Sequence, residues 1–599
     1  MRPAISGSIA LALAFSLAAT TARADDAAPP PAARAHLSGY EKTSLENALT
    51  AVKGQIDPSP QGKIVESIET VRLDVFEKRD FIPEMFLGFV NWFHVTSKPY
   101  VIEHEVLQTK GRRYDQALVD ETERNLRNTR QVSLVLAAPM VGSAPDRVRL
   151  LVITKDIWSL RFNSDFRFAG GRLEYFLAEP SEENLLGTHQ TLSARYEQHL
   201  DTLAFGGHYI LPRLAGSRIN ADVSGGVIVN RTTGAAEGSY GTLSYGQPLY
   251  STKALWAWSS DIKWRKETVR RYVGHTLRTF DSKLTPIVED LPYIYDSDTL
   301  GGHYDVTRSF GTAIKNDLTV GVVASRRRFR TDDLSRFGPV ASADFISRAV
   351  PVSDTQIGPY VQLRSHANRY ITVLDFETLG LQENFINGHD AYLKLTPITT
   401  ALGSSRNFFA VYAAAAYSVP LGDGLAKAYV ELTNSFTMTG VPDGSIDVGT
   451  RIASPRTPVG RLHFDARVLN RYANYLNEKS SLGGDTRPRG YPSGAFIGKH
   501  VVAATLELRS RAAQILSCQL AGAAFFDSGD AFDGFDKMRL KQSAGFGLRV
   551  LFPQLDRVVL RVDWGFPLTR GVVPAGGFPG DIVFTFRQAF AVPALPVPN

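Results

Sequence analysis

One cysteine, Cys518, stands in 599 residues, so no internal disulfide can staple the fold and a cysteine-built metal centre has no ligands to draw on. Past its first twenty-odd residues the chain also lacks any uncharged apolar run of the roughly 18 to 20 residues that a membrane-spanning helix needs, although 44% of it is hydrophobic. It is therefore either soluble or crosses a membrane as strands. A strong charge of one sign is missing too: +6 over the whole chain is too diffuse for nucleic acid, which calls for a basic face with interleaved aromatics. There is no G-x-S-x-G elbow, no H-E-x-x-H and no P-loop. His303, His366 and His389 are scattered among candidate strands and loops, where they read as polar lumen or loop residues. No catalysis, cofactor or metal is expected.

What is present begins with an export signal. Arg2 gives a basic start, Ile5 to Ala19 an apolar stretch, and Ala22-Arg23-Ala24 a small-residue cleavage site before Asp25 and Asp26, marking residues 1–24 as a secretory leader. Residues 25–62 read as a linker: Pro29, Pro30 and Pro31 stiffen it, Ser44 to Gln55 offers a short helix, and Asp57-Pro58-Ser59-Pro60-Gln61-Gly62 stops that helix. Residues 63–156 read as a compact α+β unit. It opens with a strand alternating Val71, Leu73 and Val75 against Arg72 and Asp74. Pro99 starts a helix that Gly111 ends, and a second helix runs from about Asp115 to Arg127 with Val119 and Leu126 one heptad apart. Strands at Val132 to Leu136 and Val148 to Thr154, joined by Gly142-Ser143-Ala144-Pro145-Asp146, close the unit.

After Trp158 the period changes from helical to two, and segments near the 9 to 11 residues of a tilted membrane strand follow one another. In Arg557 to Phe566, Val558, Leu560, Val562, Trp564 and Phe566 share one face while Arg561, Asp563 and Gly565 share the other, which suits lipid outside and a polar lumen inside. A soluble β-sandwich alternates as well. The last strand favours the membrane: Ile582, Phe584, Phe586 and Phe590 face one way and Asp581, Thr585 and Arg587 the other, an amphipathic, aromatic-ending strand of the kind that outer-membrane barrels present for assembly. The barrel is placed at 157–590, with a tail at 591–599.

Leu482-Gly483-Gly484-Asp485-Thr486-Arg487-Pro488-Arg489-Gly490-Tyr491 resembles the sixth extracellular loop of the BamA/TamA family, part of the bacterial surface antigen superfamily, whose signature is a hydrophobic residue followed by Arg-Gly-Phe or Arg-Gly-Tyr. Pro488 takes the hydrophobic place. Phe525-Phe526-Asp527-Ser528-Gly529, Gly545-Phe546-Gly547-Leu548-Arg549 with Pro553, and Asp563 to Leu568 resemble that family's later strands, and Glu183-Asn184-Leu185-Leu186-Gly187 its early Glu-Asn-Leu-Leu-Gly segment. The α+β unit resembles a single POTRA domain in element order. The resemblance implies a transmembrane antiparallel β-barrel of about sixteen strands, five of them after the loop, preceded by one POTRA-like domain in the periplasm. It implies an outer-membrane insertase or translocase that assembles or exports unfolded protein clients, lipid being a further class of cargo. The partners implied are outer-membrane lipids, unfolded outer-membrane or secreted clients, and periplasmic or lipoprotein accessory factors. The alternative is a passive channel or structural barrel without assembly activity.

Arg489 is planar and permanently charged, so a loop folded back into the barrel can be pinned by a bidentate pair with a wall carboxylate, and Asp527, in Phe526-Asp527-Ser528-Gly529, is the expected partner. Gly490 lets the backbone turn and Tyr491 supplies a ring to pack on the wall. The bland alternative makes Arg489 and Asp527 separate lumen charges. The sheet of the α+β unit offers an edge to which an extended client can add a strand, the alternative being a passive spacer. From the leader and the alternating strands, the mature protein should fractionate with the outer membrane and migrate faster on gels unheated than boiled. Recovery as a soluble periplasmic protein would sink that reading.

Overall fold

A computed structural model describes residues 39–73, 75, 95–127, 129, 131–169, 172–484, 487–515, 518–552, 558–569 and 580–585. The expected leader and tail lie outside the described residues, as do Phe586 and Phe590 of the final strand and Asp485 and Thr486 of the loop. Among the described residues no helix is long and apolar enough to cross a membrane, which leaves strands untouched as a means of crossing.

The α+β unit contains β1 (Ile64–Leu73), β2 (Val132–Val141) and β3 (Arg147–Asp156), with helices Pro99–Glu103 and Gln116–Arg127 between β1 and β2. The central strand is β3, parallel to β1 and antiparallel to β2. That order follows from the connections: a short turn lets β2 and β3 pair antiparallel, whereas the helical crossover brings β1 in parallel. Ile102 and the heptad-spaced Val119 and Leu126 bury against Val65, Val135, Val148, Leu150 and Val152 on one face of the sheet.

The other face corrects the expected boundary at 62. A helix at Gly39–Ala51 lays Leu45, Ala48 and Leu49 on Leu134, Leu136, Met140, Leu151 and Ile153. The Pro-rich turn does not release this helix as a linker. It folds the chain back so that Ile56 bridges Met140 at the edge of β2. A sheet made of Leu, Ile and Val on both sides must be covered on both, which the helical periodicity of residues 99–127 alone could not satisfy.

From Leu160 the chain forms one closed antiparallel barrel. Its paired segments number twenty-one, but His500–Ser510 and Ala513–Ile515 run in one line against Cys518–Phe532, so there are twenty staves, not the expected sixteen. The five strands after the loop are present: His500–Ser510, Cys518–Phe532, Lys541–Leu551, Leu560–Pro567 and Asp581–Thr585. The surplus lies upstream. Strands such as Asn220–Asn230 and Ala236–Gln247 are rich in Gly and Ser and alternate weakly, so the sequence shows less of them than the barrel uses.

Registers assign faces. Leu548 opposes Val562 and Phe546 opposes Trp564 on the outside, while Arg549 opposes Arg561 within. The barrel closes where Val583 pairs with Arg167 and the rings of Phe166 and Phe584 meet at 4.7 Å. An even number of staves returns the chain to the end at which it entered, called proximal here because the α+β unit sits there.

That unit is joined to the proximal turns by polar contacts. Glu121 accepts from the hydroxyls of Ser251 and Thr252 at 3.2 and 2.9 Å, Arg213 donates to Glu105 at 2.6 Å, and Gln131 donates to the Glu183 carbonyl at 2.9 Å. Asn184, in the Glu-Asn-Leu-Leu-Gly segment, donates to the Val95 carbonyl at 2.8 Å, and Ser97 Oγ lies 2.8 Å from His189 Nε2. Burial pushes the His189 imidazole below its ordinary value, which keeps it neutral in this joint.

Because the Gly39–Ala51 helix covers an apolar sheet face, a fragment spanning 39–157 should fold by circular dichroism and urea titration, whereas 63–155 should be less stable by several kcal/mol, at about 1.5 to 3 kcal/mol for each large side chain uncovered. Equal stability of the two fragments would remove the helix from the domain.

Candidate functional site

The connection from Gly460–Asn474 to His500–Ser510 turns inward. A small hairpin, Ser480–Leu482 with Phe496–Gly498, forms its root, and the segment between them reaches the inner wall. Arg489, at its tip, is fully buried. Its Nε and Nη2 donate to the two oxygens of Asp527 at 2.8 and 3.0 Å, a fork against a carboxylate, and its backbone N–H donates to Asp527 at 3.0 Å. Thr505 Oγ1 donates to the same carboxylate at 2.8 Å.

Two further carboxylates complete the site. Arg489 Nη1 donates to Glu507 at 2.9 Å and to Asp563 at 2.7 Å. Glu507 also accepts from Arg509 at 2.7 Å, and Asp563 from Arg549 at 2.6 Å. The guanidinium plane rests 3.4 Å from the centroid of the Phe525 ring. Buried charges on this scale survive only when paired and hydrogen-bonded, and here each carboxylate meets at least two donors.

Gly490 has φ +89°, and a Cβ there would meet the Gly565 carbonyl carbon and oxygen at 2.6 Å. Two glycines facing each other let the loop backbone lie directly on the wall strand, which is what brings Arg489 within reach. Tyr491 is fully buried; its hydroxyl donates to the Gln542 carbonyl at 2.8 Å and its ring meets Phe496 edge-on at 5.2 Å. Gly529 lies under Pro488, 3.4 Å from Cδ to the position a Cβ would take.

The sequence-derived residues Arg489, Gly490, Tyr491, Asp527 and Gly529 thus come together, and Phe526 does not. It points to the outer surface and is 41% exposed. Strand alternation is the reason: Phe525, Asp527 and Gly529 share the inner face, so the ring under the guanidinium is Phe525. Glu507 and Asp563 were missed as partners. Their signal was available in the charged pairs Glu507/Arg509 and Arg561/Asp563, each two apart and hence on one strand face. In the final strand, Ile582 and Phe584 oppose the outward Trp564 and Val562 as their alternation requires.

A second inserted segment had no forecast. The connection from Asp354–Ala367 to Gly388–Ile398 carries a hairpin, Tyr370–Leu374 with Gln382–Ile386, that starts at the proximal rim and packs on strands beyond its own neighbours. Val373 and Phe376 pack on Leu425 and Ala453, and Leu379 on Ala521, Leu551 and Val559. Glu383 holds its tip by accepting the N–H groups of Phe376, Glu377 and Thr378. The Phe376 carbonyl accepts from Arg509 at 2.8 Å, so the hairpin touches the residue that also binds Glu507. At its base Arg124 of the α+β unit lies 4.5 Å from the Tyr370 ring centroid, and beside its turn Gln382 donates to Glu41 at 3.0 Å. The one sequence hint is length, since neighbouring proximal connections such as Gly422-Asp423 are far shorter.

No protein-family model matches the chain, and no curated protein matches it. Among solved structures it is similar to BamA from Haemophilus ducreyi lacking POTRA domains 1–3, at 13% identity and TM-score 0.34 over 92% of this chain and 93% of that one. It is also similar to CdiB from Acinetobacter baumannii, at 11% identity and TM-score 0.38 over 90% and 79%, and to CdiB from Escherichia coli, at 10% and 0.43 over 92% and 83%.

Arg489→Ala would leave three carboxylates without their shared cation and should cost more than Asp527→Ala, each in the range of about 3 to 5 kcal/mol for one member of a buried pair. In a double-mutant cycle read by unfolding in detergent, the two changes should be non-additive by about 0.5 to 3 kcal/mol. Strictly additive losses would dissolve the coupling.

Proposed function

We propose that the protein is an outer-membrane insertase or translocase that assembles or exports unfolded protein clients, with its α+β unit in the periplasm. The observation that carries this reading is the bracing of the wall beside its closing seam. Arg489 ties together the strands of Glu507, Asp527 and Asp563, three of the five that lie between the loop and the closing seam. At the seam itself, among the described residues, the register pair is Val583 with Arg167. A wall stiffened on one side of its seam can part there without losing its shape, and a parted seam exposes unpaired strand edges to a client strand and to lipid together.

The α+β unit supports the same reading through its edges. That of β2 is occupied: Glu123 accepts the Ala137 N–H at 2.6 Å, Arg127 donates to the Val135 carbonyl at 3.1 Å, and residues 55–57 pair further along. The start of β1 is covered by residues 111–114. From Ser67 to Leu73 the outer edge of β1 pairs with no strand among the described residues, so that stretch is the place for an extended client to add. Lipid cargo and lipoprotein accessory factors belong to the same proposal. A passive channel is disfavoured by two segments occupying the lumen.

Depleting the protein and profiling the outer membrane tests the reading directly. Selective loss of barrel or secreted proteins is the expected result. An unchanged proteome and lipid composition, with altered permeability to small solutes, would replace the insertase by a channel.

A further inference from the structure

The outer surface of the barrel is not uniform in charge. Registers place Lys266, Arg270, Arg308, Arg326, Arg328 and Arg330 on the outer face, and among the described strand residues every outward lysine or arginine belongs to three neighbouring strands, Trp256–Arg270, Ile294–Phe310 and Ile314–Arg330. Two of these are accounted for. Arg270 pairs with Glu237 and Asp201 at 2.7 and 2.8 Å, and Arg308 lies over the rings of Trp256 and Phe310 at the proximal edge of the apolar band.

The other four cluster at the distal edge. Lys266, Asp298 and Arg328 stand side by side in one cross-strand row, with Trp264, Leu300 and Arg326 in the row below and Thr268, Asp296 and Arg330 in the row above. Arg326 lies 3.6 Å from Asp298. Lys266, Arg328 and Arg330 are exposed, and among the described residues none has a carboxylate within ion-pairing distance. With Asp296 and Asp298 counted, the cluster keeps two unmatched positive charges.

Its height decides what it faces. Ten residues separate Arg308 from Asp298, about 33 Å along the strand and about 25 Å along the membrane normal at the usual strand tilt, which is the height of a barrel's apolar band. The Arg326 row, flanked by exposed Leu300 and Trp264, is thus where hydrocarbon gives way to head groups. Charges needed only for solubility would be spread around the rim of the barrel. These are gathered on one sector, directly above apolar side chains such as Val306, Val320 and Val322.

We infer that this sector is a binding site for a phosphate-bearing lipid of the distal leaflet, whose acyl chains lie on the apolar column while Lys266, Arg326, Arg328 and Arg330 hold its phosphates. Guanidinium forks match phosphate oxygens in pairs. Arg326 and Arg328, two apart on one face, stand about 7 Å from each other, and Lys266 is about 10 Å from Arg328 across two strand spacings, so a lipid with two separated phosphates suits the sector better than one with a single phosphate. The inference rests on the barrel spanning a membrane.

The test uses the full-length protein purified in detergent, with retained lipid read by native mass spectrometry after incubation with diphosphoryl lipid A, with a phosphate-free lipid of matched acyl chains, or with millimolar inorganic phosphate as competitor. Wild type should retain diphosphoryl lipid A, R326Q/R328Q/R330Q should retain about tenfold less, and the phosphate-free lipid should show no difference between them. If the triple variant loses heat-modifiable migration, the milder K266Q/R328Q pair, whose side chains are exposed, carries the comparison with about threefold less retention. Equal retention by wild type and a folded variant overturns the site. Displacement by inorganic phosphate overturns the lipid in favour of a free anion. Absence of heat-modifiable migration in the wild type would overturn the membrane reading itself.

Discussion

One guanidinium among three buried carboxylates sets the terms for the rest of the barrel. A fully buried cation must be matched in charge and in hydrogen bonds at once, and Arg489 meets both conditions only if the loop backbone reaches the wall. The wall is shaped to allow it. Gly565 leaves room for Gly490, Phe525 lies flat beneath the guanidinium, and Arg509 and Arg549 neutralise the carboxylate oxygens that Arg489 leaves over. Because the three carboxylates come from three different strands, the loop fixes their relative register as well as its own position.

How much of this was legible depends on whether the deciding signal was local. The pairing of Arg489 with Asp527 was readable from motif order, and the face of Val562 and Trp564 from alternation. Which of Phe525 and Phe526 lies under the guanidinium is a matter of parity, since the inward carboxylate of Asp527 fixes its neighbour Phe526 outward. The Gly39–Ala51 helix was visible as a helix but not as a cover for the sheet, because its partners, Leu134 and Leu151, are far along the chain. Strand number was the least legible quantity. A strand such as Asn220–Asn230, with Gly225 and Gly226 at its centre, differs little from a loop until its neighbours are known.

The two inserted segments are connected through side chains. The α+β unit touches the proximal hairpin through Arg124 and Glu41, the hairpin tip touches Arg509, Arg509 binds Glu507, and Glu507 binds Arg489. The α+β unit and the inserted loop are thus joined by a continuous run of side-chain contacts, most of them polar and directional.

The twenty staves have a geometric consequence. With strands about 4.8 Å apart and tilted near 40°, twenty of them enclose a cylinder about 40 Å across, against about 32 Å for sixteen, so the cross-sectional area grows by roughly half. A single hairpin about 10 Å thick cannot occupy such an opening. The hairpin at Tyr370–Ile386 adds a second segment inside the wall, its apolar tip packed on Leu425, Ala453, Ala521 and Leu551. The wider circumference of this barrel thus comes with two inserted segments rather than one.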